Sequence, residues 1–357
     1  MDNFEEYLRQ GEPNKSEKAK VWKTAIGLQQ IDGLVPSNYL IETAKQNIEG
    51  ELTFTEVKDR LDSYYIQHPL KNDLSRTEEA DKVSARIAEM LGEKTFTFSP
   101  AEYLSIHRRL FQGIYSFAGQ IRDYNITKKE WILNGETVLY AGAASLKAAF
   151  EHDFEQEKRF SYKGLNQQEI VEHLAQFISY LWQIHIFGEG NTRTTAIFLI
   201  KYLHKLGFKK VNNELFANYA WYFRNALVRA NYEDLSQSIH KTDTFLIQFL
   251  SNLLLKENHI LRNREMHIHY DSTQNDTVKA NYDTVNSKND TVNDIQNIEY
   301  GTVFSLIQHN SKITTTEISE KLNISLSTVK RKIKILKAEE KIERIGSDKT
   351  GIWKVIE

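Results

Sequence analysis

The spacing of apolar residues along this chain is mostly that of amphipathic helices. Residues 17–65 carry three such runs, which end at Gly33, at Gly50 and near Tyr65. Glycine is a common residue just after a helix, because it adopts the left-handed backbone conformation without strain. The pattern therefore predicts a compact helical prefix at residues 1–70.

Residues 75–260 continue as one larger helical body. Ser99-Pro100 opens a helix, since Ser is a favoured N-cap and Pro fits the first helical position. Residues 196–203 are apolar nearly all round, which predicts a centrally buried helix. The exception is the segment around Asn134-Gly135, where two β-prone stretches flank a strong turn signal and predict a hairpin.

The C-terminal part of the chain has a different pattern. Residues 266–298 are polar, and Asp-Thr-Val recurs every seven residues from Asp276. Only one weak apolar position repeats, and Asn and Asp are poor helix formers, so we interpret this segment as a polar linker rather than a coiled coil. Residues 299–357 show two helical stretches joined by a short turn and then two β-prone stretches. That order predicts a winged helix-turn-helix domain.

Composition narrows the classes of function. The chain has 357 residues, a formal net charge of −2 and no cysteine. A nearly neutral chain has no overall field that draws it to nucleic acid or to a membrane, and disulfides and thiolate metal sites are excluded. The N-terminus is acidic without an apolar signal segment, and no apolar run reaches the roughly 18 residues of a membrane span. We therefore expect a cytoplasmic protein without a membrane partner.

Nine residues between two apolar helical runs carry most of the candidate chemistry: His185-Ile186-Phe187-Gly188-Glu189-Gly190-Asn191-Thr192-Arg193. A loop that enters a helix N-terminus directs backbone N–H groups at an anion. His185 suits a general base, and Glu189 offers carboxylate oxygen to Mg²⁺. The residues suited to phosphate oxygens are Gly188, Gly190, Asn191, Thr192 and Arg193. A lone buried His is usually structural, but the whole constellation favours phosphate chemistry on a nucleotide.

The motif resembles the Fic family signature, His-x-Phe-x-Asp/Glu-Gly-Asn-Gly/Lys-Arg-x-x-Arg, and residues 106–122 resemble that family's upstream helix and turn. The resemblance covers about residues 75–260. It implies a mainly α fold, a Fic-type helical bundle with a β-hairpin flap. It also implies transfer of AMP from ATP, with Mg²⁺, to a Tyr, Thr or Ser hydroxyl of a target protein or of the chain itself. Transfer of phosphate, UMP or phosphocholine stays open as an alternative.

Three positions depart from this signature. Ile186 replaces Pro, Thr192 replaces Gly or Lys, and Ala196 stands where the family has its final Arg. The absence of Lys at position 192 favours nucleotidyl transfer over the kinase reaction of the Doc-like branch. Ala196 removes part of the expected grip on ATP. Lys201 lies about 140° further round the helix, so it is a poor substitute.

The prefix resembles the antitoxin-like segment fused to some Fic proteins, whose inhibitory signature is Ser/Thr-x-x-x-Glu-Gly. Two positions have this spacing imperfectly, at Asp32 and at Glu49, and the residues that follow favour Asp32. The Arg that should pair with the inhibitory acid is missing at Ala196. We therefore expect inhibition through this ion pair to be weak or absent, with a mainly structural prefix.

The hairpin stands where the Fic family has its active-site flap. An exposed edge strand would bind the backbone of a target by strand addition. Lys128 could contact nucleotide or target, although a solvated charge is favoured, and packing is favoured for Trp131. The residues assigned to this flap are Thr127, Lys128, Trp131, Ile132 and Leu133.

The tail is the candidate nucleic-acid interface. Residues 301–357 contain 11 Lys and Arg against 7 Asp and Glu, and the second helix is basic. Such a helix suits the major groove of duplex DNA, with protein contact or homodimerisation as the alternative. A second class of function is therefore a nucleotide-sensing transcriptional regulator. The candidate DNA contacts are Ser327, Thr328, Lys330, Arg331 and Lys334.

Overall fold

The chain divides into two compact units, Met1–Asn275 and Asp276–Glu357. The computed structural model describes residues 4–69, 76–208 and 211–270 of the first unit. In the second unit it describes residues 303, 306–307, 310–322, 329–330, 333–334, 336–337, 341–345 and 352–356. The described residues are mainly helical, as predicted.

The helices of the first unit follow one another with short connections. They are α1 (Glu5–Gln10), α2 (Pro13–Gly27), α3 (Asn38–Glu49), α4 (Phe54–Gln67), α5 (Thr77–Gly92), α6 (Pro100–Phe111), α7 (Leu146–Arg159), α8 (Gln167–Ile184), α9 (Asn191–Lys205), α10 (Glu214–Asn231) and α11 (Thr244–Leu255). Short 3₁₀ turns occur at Leu28–Asp32, Trp131–Leu133, Ala143–Ser145, Leu235–Gln237 and Asn263–Met266.

The helix ends follow the local signals in the sequence. Ser99 accepts a hydrogen bond from the Glu102 N–H, which caps α6, and Thr53 and Glu56 form a reciprocal capping box at α4. After the 3₁₀ turn that extends α2, Gly33 adopts a φ of 68°, and after α3 Gly50 adopts 86°; few other residues tolerate these angles. The predicted start at Ser99 and the predicted ends at Gly33 and Gly50 are therefore confirmed.

Helix α9 lies at the centre of the core of the first unit. Every residue from Asn191 to Leu203 is buried, and the helix packs against α5, α6 and α8. Phe198 is fully buried among other aromatic rings, with Tyr103 at 5.3 Å and Phe154 at 5.5 Å between ring centroids. Truncating such a side chain to Ala costs about 3–5 kcal/mol of unfolding free energy. The loop before α9 therefore leads directly into the centre of the core.

The prefix belongs to the same core. Helix α2 packs on α5 and α10, and the Trp22 indole N–H donates to Asn47 at 2.9 Å inside the prefix. At Gly27 the backbones of α2 and α10 nearly touch, since a Cβ there would lie 2.3 Å from the Cα of Ala217. This close approach brings the 3₁₀ turn Leu28–Asp32 against α9 and α10.

The strands predicted on either side of Asn134-Gly135 are not formed. Residues Trp131–Leu133 make a 3₁₀ turn, and the Glu130 N–H donates to the Glu136 carbonyl at 3.0 Å to close the loop. The cause is burial: Ile132 and Leu133 are neighbours in sequence and both are fully buried. Successive strand residues point to opposite faces, so a hairpin with one face open to solvent could not bury both.

The second unit contains α12 (Thr315–Leu322) and an antiparallel pair, β1 (Ile342–Ile345) and β2 (Ile352–Val355). The pairing aligns Ile342 with Val355 and confirms the predicted wing. Trp353 is buried in a separate apolar cluster, where its indole N–H donates to the Ile313 carbonyl at 3.0 Å. Lys330 and Lys334 are exposed. Ser327, Thr328 and Arg331 lie outside the described residues.

Candidate functional site

His185 lies at the junction between α8 and the motif loop. It is buried and adopts a φ of 50°, which is unusual for a residue other than glycine. Its Nδ1 lies 3.2 Å from the Trp182 carbonyl oxygen. Because a carbonyl can only accept, this contact assigns the proton to Nδ1 and leaves Nε2 free to act as a base.

The backbone at His185 is held by Arg122. The buried guanidinium donates to the His185 carbonyl at 2.7 Å and to the Ile184 carbonyl at 3.3 Å, and it also reaches the carbonyls of Tyr124 and Ala141. Carbonyls at a helix C-terminus have no partner within the helix, and a cation there is favourable. Arg122 therefore stabilises the sharp turn that directs His185. The sequence showed Arg122 only as the last residue of the segment that resembles the Fic family, and it did not predict this role.

The surroundings of His185 keep its imidazole neutral. Burial lowers the pKa of His185 well below its ordinary 6.5, and the positive charges of Lys128, Arg224 and Arg122 lower it further. The Tyr140 ring lies 4.2 Å from the imidazole and covers it. A neutral imidazole at pH 7 can accept a proton, which is the state that a general base requires.

The motif loop is closed by Asn191. Its side chain donates to the Phe187 carbonyl at 2.8 Å and accepts from the Phe187 N–H at 3.0 Å. These contacts use one of the two Nδ2 hydrogens, and the phosphate contact of Asn191 stays a prediction. Thr192 is also used by the fold, since its hydroxyl accepts from the Trp182 indole at 2.8 Å.

Packing requires glycine at position 190, whereas at Gly188 the close neighbour is the end of the half-exposed Tyr124 side chain. Gly190 has a φ of 76°, and a Cβ there would lie 2.4 Å from the Phe111 ring. A Cβ on Gly188 would lie 2.4 Å from the Tyr124 hydroxyl. The structure shows close approach of aromatic side chains at both positions, and close approach of a phosphate stays a prediction.

His107 is a supporting residue that sequence reasoning missed. The Gly119 N–H donates to its Nδ1 at 2.8 Å, so its Nε2 carries the proton and donates to the Glu189 carbonyl at 3.0 Å. Its ring stacks on Phe187 with centroids 3.6 Å apart. Burial lowers the pKa of His107 to about 4, so the ring is neutral. Its position among apolar residues of α6 gave no signal beyond burial.

Glu189 and Lys128 form an ion pair at the mouth of the loop. The Lys128 ammonium lies 3.0 and 3.1 Å from the two carboxylate oxygens. The favoured prediction of a solvated charge at Lys128 is therefore wrong, because the segment around residue 128 runs beside the motif. Within the described ranges there is no cluster of three or more acidic or His side chains that could hold a metal. A single carboxylate such as Glu189 is enough for Mg²⁺, because water and substrate phosphates supply most of the other ligands of that ion.

Arg193 is fully buried and is held by the prefix. Its Nε lies 2.8 Å from the Asp32 carboxylate, and its Nη2 donates to Glu79 at 2.7 Å. Gln29 accepts from Nη1 at 3.0 Å, and the guanidinium lies 4.8 Å from the centre of the Phe111 ring. The Nε–carboxylate contact is an ion pair without hydrogen-bond alignment.

The expectation that Asp32 lacks an Arg partner is wrong. The 3₁₀ turn that carries Asp32 packs on α9, so its carboxylate reaches the first turn of that helix instead of Ala196. Burial raises the pKa of Asp32, but the charge of Arg193 and three further cations lowers it more, so the group is ionised. Glu79 of α5, a second partner of Arg193, had no signal in the sequence.

Two other predicted residues lie apart from this network. Glu49 pairs with Lys15 at 2.6 Å on the surface. The Lys201 ammonium donates to the carbonyls of Met90 at 2.8 Å and Glu93 at 3.1 Å, so it does not replace the Arg absent at position 196. In the flap, Ile132 and Leu133 are buried, while Trp131 is partly exposed and packs 5.3 Å from the His267 ring.

A small cavity lies beside His185, Glu189 and the start of α9. Its volume is about 20 Å³, which is enough for about one water molecule. The residues at the start of α9 line the cavity. The first N–H groups of a helix have no partner within it, so this end of α9 suits an anion. The residues that line the cavity are Asp32, Lys128, Trp182, His185, Glu189, Gly190, Asn191, Thr192 and Arg224.

Comparison with known proteins agrees with this arrangement. Residues 97–203 match the model of the Fic/DOC family, and residues 303–343 match that of the winged helix-turn-helix DNA-binding domain. A crystal structure of a Fic family protein from Desulfovibrio desulfuricans G20 is 13% identical, over 99% of this chain and 93% of that one, with a TM-score of 0.41. No helix among the described residues is long and apolar enough to cross a membrane. The chain therefore carries a Fic/DOC family domain followed by a winged helix-turn-helix domain.

Proposed function

We propose that this protein transfers AMP from ATP, with Mg²⁺, to a Tyr, Thr or Ser hydroxyl of a protein, including its own chain. The observation that carries the proposal is the shared cavity: the neutral imidazole of His185, the carboxylate of Glu189 and the N-terminus of α9 all border it. A base, a ligand for Mg²⁺ and an anion site are the three parts that in-line transfer of a nucleotidyl group needs.

In the proposed reaction, Nε2 of His185 accepts the proton of the attacking hydroxyl. The hydroxyl oxygen forms a bond to the α-phosphorus of ATP, the bond from that phosphorus to the bridging oxygen breaks, and pyrophosphate leaves. Backbone N–H groups at the start of α9 would hold the phosphate oxygens. Mg²⁺ held by Glu189 would neutralise charge on the phosphates. A positioned base contributes about 10²–10⁴-fold to the rate.

Asp32 is placed where it could inhibit the site. Its carboxylate borders the cavity and holds Arg193, a residue that the motif assigns to phosphate. A cavity of about 20 Å³ does not admit a nucleotide. We infer that the turn that carries Asp32 moves when ATP binds, and that Arg193 then exchanges a carboxylate for a phosphate. This arrangement supports an inhibitory prefix, contrary to the expectation from Ala196.

The test is labelling with ATP that carries the label on its α-phosphate, in the presence of MgCl₂. The wild-type protein should incorporate label into itself or into a protein from a bacterial extract, and His185→Ala should lose it. Intact mass of the product distinguishes AMP from phosphate, UMP or phosphocholine. Equal incorporation by wild type and His185→Ala, or none even after removal of the Asp32 carboxylate, would contradict the proposal.

A second candidate is a nucleotide-responsive regulator that binds DNA. The matched winged helix-turn-helix model and the exposed Lys330 and Lys334 favour it. Binding of duplex DNA should weaken steeply with salt, because Lys contacts to phosphate release counterions. Gel-shift assays at low and high salt, with and without ATP, test this candidate. Absence of binding at low salt would exclude it.

A further inference from the structure

Arg224 borders the cavity from outside the nine-residue motif. It lies on α10, beyond residues 97–203, yet it lines the same cavity as His185 and the start of α9. Its charge contributes to the lowered pKa values of both His185 and Asp32, which shows that it lies close to both. The motif itself has no second guanidinium, because position 196 is Ala instead of Arg. Ala196 is fully buried in the core.

The guanidinium of Arg224 is held in a fixed orientation. Its Nη2 lies 2.8 and 3.0 Å from the two oxygens of Glu130, which is itself buried. The Trp221 ring lies under it, 5.0 Å from the guanidinium carbon. Arg224 itself is partly accessible, with 16% of its side chain exposed.

This arrangement leaves one edge of the fork available. Both polar contacts with Glu130 use Nη2, and Nη1 and Nε make no hydrogen bond within the described part of the chain. A planar guanidinium presents five donors, so it can keep one carboxylate while it donates to a phosphate.

We propose that Arg224 supplies the second guanidinium of the nucleotide site, keeping Nη2 on Glu130 and donating from Nη1 to the β- or γ-phosphate of ATP. This inference rests on the proposed nucleotide transfer. Two lysines, Lys128 and Lys201, are less suited to the role. Lys128 is a point charge already paired with Glu189, and Lys201 is bound to two backbone carbonyls elsewhere.

Nucleotide affinity tests this role without requiring catalysis. Binding of fluorescent ATP and AMP analogues to the full-length chain would be measured with MgCl₂, in the Asp32→Asn background. Arg224→Gln should weaken ATP binding by about tenfold or more, the loss expected for a charged hydrogen bond. Affinity for AMP, which lacks the β- and γ-phosphates, should remain within about twofold. Arg229→Gln is the matched control, because Arg229 is on the same helix but does not line the cavity.

Arg224→Lys provides a second variant, which keeps a positive charge beside Glu130. A single ammonium cannot bridge Glu130 and a phosphate as the fork does, so ATP affinity should still fall by about threefold or more. Equal ATP affinity in wild type and in whichever Arg224 variant remains folded, as judged by thermal unfolding, overturns the role of Arg224. No ATP binding by the parent or the Arg229→Gln control overturns the proposed function instead.

Discussion

Replacing Asp32 with Asn removes one carboxylate from a fully buried guanidinium while preserving the size of the side chain. Arg193 has no exposed surface, and Asp32 and Glu79 contact it at 2.8 and 2.7 Å. The substitution leaves Glu79 and Gln29 as partners, so Arg193 keeps a compensating charge. It should therefore weaken the hold of the prefix on the motif without unfolding the protein.

The size of the effect follows from the geometry. Opposite unit charges about 4 Å apart interact by about 4 kcal/mol at an effective dielectric constant of about 20. The desolvation of both groups, the 18% exposure of the Asp32 side chain and the remaining Glu79 reduce the net value. We expect about 1.5–3 kcal/mol, which corresponds to about a 10- to 100-fold larger population of Arg193 free to bind phosphate.

The assay is the initial rate of label incorporation from α-labelled ATP at a concentration well below saturation. Asp32→Asn should be faster than wild type by about 10- to 100-fold, because less free energy is needed to release Arg193. Glu49→Gln is the matched control, since Glu49 is the other acid with inhibitory spacing but pairs with Lys15 on the surface. Its rate should stay within about twofold of wild type, as expected for an exposed ion pair.

The reasoning would be refuted by one combination of rates. If wild type incorporates label, His185→Ala does not, and Asp32→Asn is no faster than Glu49→Gln, then the Asp32–Arg193 pair does not limit access to the site. Thermal unfolding of each variant verifies that a low rate does not reflect loss of the fold.

Three further predictions concern the loop and its histidines. Gly190→Ala would force a Cβ to 2.4 Å from the Phe111 ring at a φ of 76°. The free energy of unfolding should therefore fall by about 1–3 kcal/mol, and an unchanged melting temperature would contradict this. The His185 imidazole should show no NMR titration step near pH 6.5, because its folded-state pKa lies well below that value; a midpoint at or above 6.5 would contradict the burial argument. Since the pKa of His107 falls from 6.5 to about 4 on folding, its contribution to stability is present above pH 6.5 and is lost as the pH falls toward 4, by about 3 kcal/mol. In denaturant titrations, His107→Phe should therefore show a weaker loss of stability over that range than wild type.

Several features could be predicted because they depend on neighbours in the chain. The capping of α4 by Thr53 and of α6 by Ser99 follows from residues at most three positions apart. The wing strands follow from local alternation and from β-prone composition. The motif also identified His185 and Glu189 as neighbours of one cavity, since a short loop keeps them close.

The failures arose where distant contacts overrode local preference. Asn134-Gly135 is a strong turn signal, and the turn exists, but burial of Ile132 and Leu133 together prevents the strands. Asp32 was compared with Ala196 through the family pattern, whereas its actual partner is Arg193. The choice depends on how the 3₁₀ turn sits on α9, which no spacing along the chain reveals.

By itself, the sequence determined the helical class, the helix ends, the wing and the nine-residue motif, because periodicity, caps and short loops act within a few residues. Only the tertiary structure decided which charges meet at the motif. Asp32 and Glu79 reach Arg193 across 161 and 114 positions, and Glu130 orients Arg224 across 94. Such pairs form because helix packing brings buried charges together, and a buried charge is stable only when it is paired.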